Sequence, residues 1–296
     1  MQFLKIGHNT NTKNGTGITV FLFDTPAMGA FWLCGSSPAT RELTVLALDS
    51  NVSYIDGLVF AGGSAFGLGA TDGVMQWFKE QNRGKPTPFL PVPIVPAAGI
   101  YDLGESTHNP PTKEEAYEAC IDAIENNLAQ GRVGAGTGAT VGKLIQNTTR
   151  EKGGIGFAQK QLDNGLEVLA FAVVNCLGDV KDNGKIVAGA RWENGEFADC
   201  EKQLLSGYSE RGSVPMNTTL VAIFTNAFFT KPELQRIAKM ACSGMSRAIY
   251  PVFTRYDGDL IVTVSLGDHV ASETVIATVG AECVREAIVN AVLAAN

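Results

Sequence analysis

The chain has 296 residues, 45% hydrophobic and 18% charged, which suits a globular protein of one large or two ordinary domains. A net charge of −7 and a pI near 5.1, without any clustered basic segment, exclude phosphate neutralisation as a way of working, so no nucleic-acid partner is expected. No apolar run reaches the roughly 18–20 residues of a membrane span, and the opening MQFLKIGHNTNTKNGTG lacks an apolar stretch of signal-peptide length. A cytoplasmic chain without a membrane partner is therefore expected.

In chain order, GITVFLFD (17–24) alternates β-branched and aromatic residues and predicts a strand. LTVLAL (43–48) and IDGLVFAGG (55–63) predict two more. SAFGLGATDGVMQWFKEQ (64–81) has helical spacing, with Ser64 as its N-cap. The prolines of 84–104 break any helix and predict an irregular extended segment that ends in a loop. A helix over 112–131 opens on a Thr112/Glu115 capping box and stops at Gly131. A glycine-dense loop, GRVGAGTGATVGKL, follows. LEVLAFAVVN (166–175) is apolar almost throughout, as a strand buried on both faces is, and NTTLVAIFTNA (217–227) is similar. A helix then starts from Thr230 with Pro232 in its first turn and Glu233 at the box position, DGDLIVTVSLG is a further strand, and 272–296 form a closing helix. Doubly buried strands alternating with helices imply an α/β protein whose sheets are covered on both faces. The polar segment 206–214 reads as a surface loop or a cleavage site.

Most motifs with a chemical association fail on inspection. GAGTGATVGKL is no P-loop, because Thr137 stands where the first glycine belongs and Leu144 where the metal-binding hydroxyl belongs. A dinucleotide fingerprint at Gly134 fails because the loop follows a helix. Lys143 reads either as a solvated lysine or as an ammonium in a glycine-lined pocket. Ser64 is not a nucleophile elbow, since Phe66 replaces the second glycine. The three histidines, His8, His108 and His269, sit in no nucleophile context. Six scattered cysteines, Cys34, Cys120, Cys176, Cys200, Cys242 and Cys283, form no C-x-x-C pair, so reduced thiols and no metal are expected. Neither a metal nor an organic cofactor is implied.

Three features stay open to a functional reading. Asp257 and Asp259 flank Gly258 before a strand; they make a simple turn or bring two carboxylates to one polar group. Asn175 ends an apolar strand as a turn residue or a preorganised donor. Thr218, behind a polar loop, either opens a strand or is the nucleophile of a self-processing hydrolase. In the second case attack of its hydroxyl on the Asn217 carbonyl frees a threonine whose α-amine, with an unperturbed pKa of about 7.7–8.0, serves as base without a histidine.

Together the segments IGHNTNTKNGTGITVFLFD, SSPATRE, GGSAFGL, GIYDLG, GATVGKL, VVNCLGD, NTTLVAIFTNA and YDGD, in that order, resemble the self-processing peptidases that include L-aminopeptidase/D-esterases, β-peptidyl aminopeptidases and nylon-oligomer endo-hydrolases. The resemblance implies a four-layer α-β-β-α sandwich like that of N-terminal-nucleophile hydrolases. It also implies a single domain, 1–296, cut between Asn217 and Thr218 into chains 1–217 and 218–296 that stay together. Thr218 is implied as nucleophile, with Tyr101, Lys143, Asn175, Asp257 and Asp259 as further functional residues. On chemical grounds Asn175 suits the oxyanion, the aspartates the Thr218 amine and hydroxyl, and Tyr101 and Lys143 the substrate or the amine. The expected activity is amide hydrolysis on short peptides or small amides, with nylon-like oligomers as a further substrate class, by a homo-oligomer of processed heterodimers. Acyl transfer of the ornithine-acetyltransferase kind and an unprocessed small-molecule-binding relative are the alternatives.

Overall fold

The structure, a computed structural model, describes residues 1–104, 109–209 and 216–296. The anticipated loop at 206–214 lies, from 210 onward, outside the described residues. The main strands are β1 Leu4–Asn11, β2 Thr16–Leu33, β3 Tyr54–Ala61, β4 Gly154–Gln161, β5 Glu167–Asn175, β6 Thr218–Ala227 and β7 Leu260–His269. The main helices are α1 Thr71–Glu80, α2 Lys113–Ile121, α3 Lys231–Ala241 and α4 Glu273–Leu293.

β2 organises the molecule. Its first half pairs with β1 and β3, its second half with β7, and the register against β3 slips between Leu22 and Ala27. Exposed Asp24, Thr25 and Pro26 occupy that slip, where the proline cannot donate to a ladder. The bent strand thereby joins one sheet containing β1 and β3 to a second ordered β7-β6-β5-β4.

Alternation along the strands sorts side chains into three apolar layers. Phe21, Leu58 and Phe60 of the first sheet meet Phe171, Leu220, Phe224 and Val262 of the second between the sheets, and the Phe21 ring centroid lies 5.3 Å from that of Phe171. Ile18, Val20 and Val59 face outward against α1 and α2. Val168, Ala170, Val221 and Ile261 face the other way against α3 and α4. The result is the expected four-layer α-β-β-α sandwich. No helix among the described residues is long and apolar enough to cross a membrane.

Local signals with a hydrogen-bonding basis hold. Thr112 accepts from Glu115 N while Glu115 accepts from Thr112 N, and Thr230 and Glu233 make the second box. Other expectations need correction. Residues 43–48 are not a strand; Leu43–Leu46 form a 3₁₀ turn with Leu43 and Leu46 both inward, and Lys231 Nζ draws the carbonyls of Val45 and Ala47 toward it at 2.9 and 3.0 Å. The helix expected over 64–81 is broken into Ser64–Gly67, a 3₁₀ turn and α1, and Gly63 rather than Ser64 stands at its cap. The helix expected over 112–131 ends at Ile121, because Ile124–Glu125 leave it to pair with β1. β1, β4 and the hairpin Asp179–Asp182/Lys185–Ala188 went unread.

Candidate active site

β6 runs parallel to β7 and antiparallel to β5, so the starts of β6 and β7 and the end of β5 meet at one edge of the second sheet. This topology sets Asn175 opposite Thr218 and pairs Asn217 with Asp257. Four of the residues gathered there are polar yet nearly closed to solvent: Thr218 is 4% exposed, Lys143 6%, and Asp257 and Asp259 1% each.

The Asn217 carbonyl oxygen is the centre of the arrangement. The Thr218 hydroxyl donates to it at 2.5 Å and the Gly258 N–H at 2.8 Å. Gly258 must be glycine here, because a Cβ would stand 2.8 Å from both Thr218 Oγ1 and the Ser37 carbonyl oxygen. Asp259 accepts from Thr219 N at 2.5 Å and from Phe253 N at 3.3 Å, while Asp257 Oδ2 accepts from Thr254 N and Oγ1 at 2.8 and 2.6 Å. Asp257 Oδ1 is buried and accepts no hydrogen bond among the described residues. The backbone of SSPATRE braces this turn, since Ser36 and Ser37 N–H donate to the Asp257 carbonyl.

Lys143 approaches from the glycine loop. Gly142, at φ 72 and pressed against the Ala190 backbone, gives the loop a turn that a side chain could not share. Lys143 Nζ donates to Asn175 O at 2.9 Å and to Oδ1 at 2.8 Å; Thr140 N also donates to Oδ1, and Asn175 Nδ2 donates to the Tyr101 carbonyl at 2.9 Å. Tyr101 thus meets Asn175 through its backbone, while the residue itself lines the adjoining cleft.

Burial dominates the titration of the group. It pushes the Lys143 amine down to about 7, with the Arg150 guanidinium acting in the same sense. Burial, then the neighbouring Asp257 carboxylate, pushes Asp259 up to about 8, and burial raises Asp257 as well. Burial therefore works toward the neutral form of both the Asp259 carboxyl and the Lys143 amine, which marks this edge as a place where protons can be exchanged.

The six residues expected from the sequence, Tyr101, Lys143, Asn175, Thr218, Asp257 and Asp259, are gathered at this edge and its cleft. Two contributors went unread. Gly258 acts through a backbone N–H, which leaves no residue signature. Asp102 lies buried beneath the cleft, accepting from Gly63 N at 2.6 Å and Thr16 Oγ1 at 2.7 Å, and the bare Gly62 and Gly138 make room for it. The cleft has a volume of about 420 Å³ and reaches from Thr140 and Lys143 to Met216, one residue before Asn217. Of the proline-rich residues 84–101, Tyr101 alone lines it. No cluster of His, Cys, Asp or Glu among the described residues could hold a metal ion.

The chain is 36% identical to an aminopeptidase of Mycobacterium leprae named as uncharacterized, over 95% of this chain and 83% of that one. It is 31% identical to a 6-aminohexanoate-oligomer endohydrolase of Paenarthrobacter ureafaciens, over 74% of this chain and 63% of that one. Its fold matches the L-aminopeptidase D-Ala-esterase/amidase of Ochrobactrum anthropi with a TM-score of 0.77 at 18% identity, covering 100% of this chain and 85% of that one. A β-aminopeptidase of a Burkholderia species matches with a TM-score of 0.74 at 19% identity, covering 99% of this chain and 85% of that one. The family model of peptidase family S58 matches residues 2–296, so the chain belongs to that family and is a hydrolase acting on peptide or amide bonds.

Proposed function

We propose that the chain cuts itself between Asn217 and Thr218, and that the exposed Thr218 then hydrolyses amide bonds of short peptides or small amides. The observation that carries this reading is the Asn217 carbonyl, met on one oxygen by the Thr218 hydroxyl and the Gly258 N–H in a buried setting. Attack of Thr218 Oγ1 on the Asn217 carbon forms a C–O bond. The negative charge that develops on the carbonyl oxygen is held by Gly258 N–H. The hydroxyl proton passes to the departing amide nitrogen, the C–N bond breaks, and an ester joins Asn217 to Thr218 Oγ1. Water then hydrolyses the ester, leaving a carboxylate on Asn217 and a free α-amine on Thr218.

In the processed protein that amine takes the proton of its own hydroxyl as the hydroxyl attacks a substrate carbonyl. Asp257 and Asp259 orient the amine. Asn175 has a second amide hydrogen besides the one on the Tyr101 carbonyl, and it is assigned to the substrate oxyanion. Lys143 holds Asn175 and tunes the amine. The pieces 1–217 and 218–296 stay associated because β6 remains hydrogen-bonded to β5 and β7 to β2, both pairings crossing the cut. The substrate range spans that of relatives named as aminopeptidases and as hydrolases of 6-aminohexanoate oligomers.

The test is hydrolysis of aminoacyl anilides by the processed protein before and after selective acetylation of the Thr218 α-amine, which removes its basicity, with Thr218→Ala as reference. Loss of turnover in both supports the reading; activity that survives in Thr218→Ala overturns it.

A further inference from the structure

The cleft carries a charge opposite to that of the molecule. The chain has a net charge of −7, yet Lys13, Arg132, Arg150 and Lys143 all line this one cavity of about 420 Å³. Asp102 is the one carboxylate among its described lining residues, and both of its oxygens are already engaged, by Gly63 N and Thr16 Oγ1. None of Lys13, Arg132 and Arg150 makes an ion pair among the described residues. Arg132 is steadied by donating Nε to the Thr137 carbonyl at 3.0 Å, which leaves its two terminal nitrogens for another partner. Cations gathered in a partly enclosed hollow focus the field and raise the local concentration of anions. Guanidinium groups pair with carboxylates with directional, charge-assisted hydrogen bonds.

We propose that Arg132, Arg150 and Lys13 bind the free C-terminal carboxylate of a short peptide substrate. This rests on the hydrolytic reading above and narrows it. Of the two charged ends of a short peptide, the ammonium is repelled by these cations and the carboxylate is attracted, so the carboxylate end occupies the cleft and the amine end lies away from it. Internal bonds of long chains, and amides whose leaving group has no acid, lose this contact. A volume of about 420 Å³ is of the size that encloses a small organic ligand rather than a folded polypeptide.

The experiment compares a dipeptide with the same dipeptide carrying a C-terminal carboxamide, on the mature protein and on its Arg150→Gln and Arg132→Gln variants. Wild type favours the acid by roughly tenfold or more in kcat/KM; each variant reduces that ratio several-fold, and added salt reduces it too. The ratio is the readout, so a variant's overall rate does not enter. A second arm needs no turnover: binding of N-acetyl-alanine against N-acetyl-alaninamide, followed by ligand NMR. The acid binds to wild type, and binding weakens in Arg150→Gln and Arg132→Gln. Equal binding of acid and amide, or a preference indifferent to both substitutions, overturns the proposal. Binding of the acid without hydrolysis of either dipeptide keeps the carboxylate site and overturns the hydrolytic assignment instead.

Discussion

Replacing Lys143 with methionine isolates the cost of burying an amine beside Asn175. Burial holds that amine at about 7 against an ordinary value of 10.5, so between those values the unfolded chain binds a proton that the folded chain has released. Stability contributed by this group therefore rises with pH across the window and is lost as pH falls toward about 7. Linkage puts the gain at about 2.5 kcal/mol between pH 7.5 and 9.5. The variant also gives up two hydrogen bonds to Asn175, a change of about 1–3 kcal/mol. That change does not depend on pH, so the slope and not the absolute difference carries the test. The assay is urea unfolding at both pH values with Thr218→Ala as the common background, which keeps every sample in one covalent state. The expected result is a stability gap between the lysine-bearing protein and its Lys143→Met variant that moves by about 2.5 kcal/mol in favour of lysine as pH rises. Two curves that stay parallel would show that the amine keeps its ordinary value in the folded chain, and the electrostatic account of the site would fail.

Gly258→Ala places a methyl 2.8 Å from Thr218 Oγ1, so self-cleavage should slow by about 100-fold while the fold persists, as read from the rate of fragment appearance and from circular dichroism. Asp102→Ala leaves Gly63 N and Thr16 Oγ1 without their acceptor and should lower stability by about 2–3 kcal/mol, whereas Asp102→Asn should recover part of that loss in the same unfolding assay. Lys231→Met strips the carbonyls of Val45, Ala47 and Val52 of a shared donor, and should cost about 1–3 kcal/mol with self-cleavage retained.

How much of this was legible follows from where each signal resides. The capping boxes at Thr112 and Thr230 are local hydrogen-bond patterns, and both form. The apolar runs of β5 and β6 are legible because both faces are buried, one between the sheets and one under α3 and α4. LTVLAL misleads because a short, mostly apolar run fits a strand as well as a turn, and the choice is made by Lys231, 186 residues away from Val45. Thr218, Asn175, Lys143 and the two aspartates could be singled out because each is a polar residue at the edge of an apolar or glycine-rich run. Asp102 could not be, since its partners lie 86 and 39 residues away and its own neighbourhood reads as a loop. The role of Gly258 was hidden because its contribution is a backbone N–H.

The central claim is that Asn217–Thr218 is a self-cleaving bond, and an intact-mass spectrum of freshly purified protein beside Thr218→Ala tests it most directly. The account predicts two fragments meeting at that bond in the wild type and one chain of 31.3 kDa in the variant. A full-length mass in both, unchanged after long incubation, would contradict it.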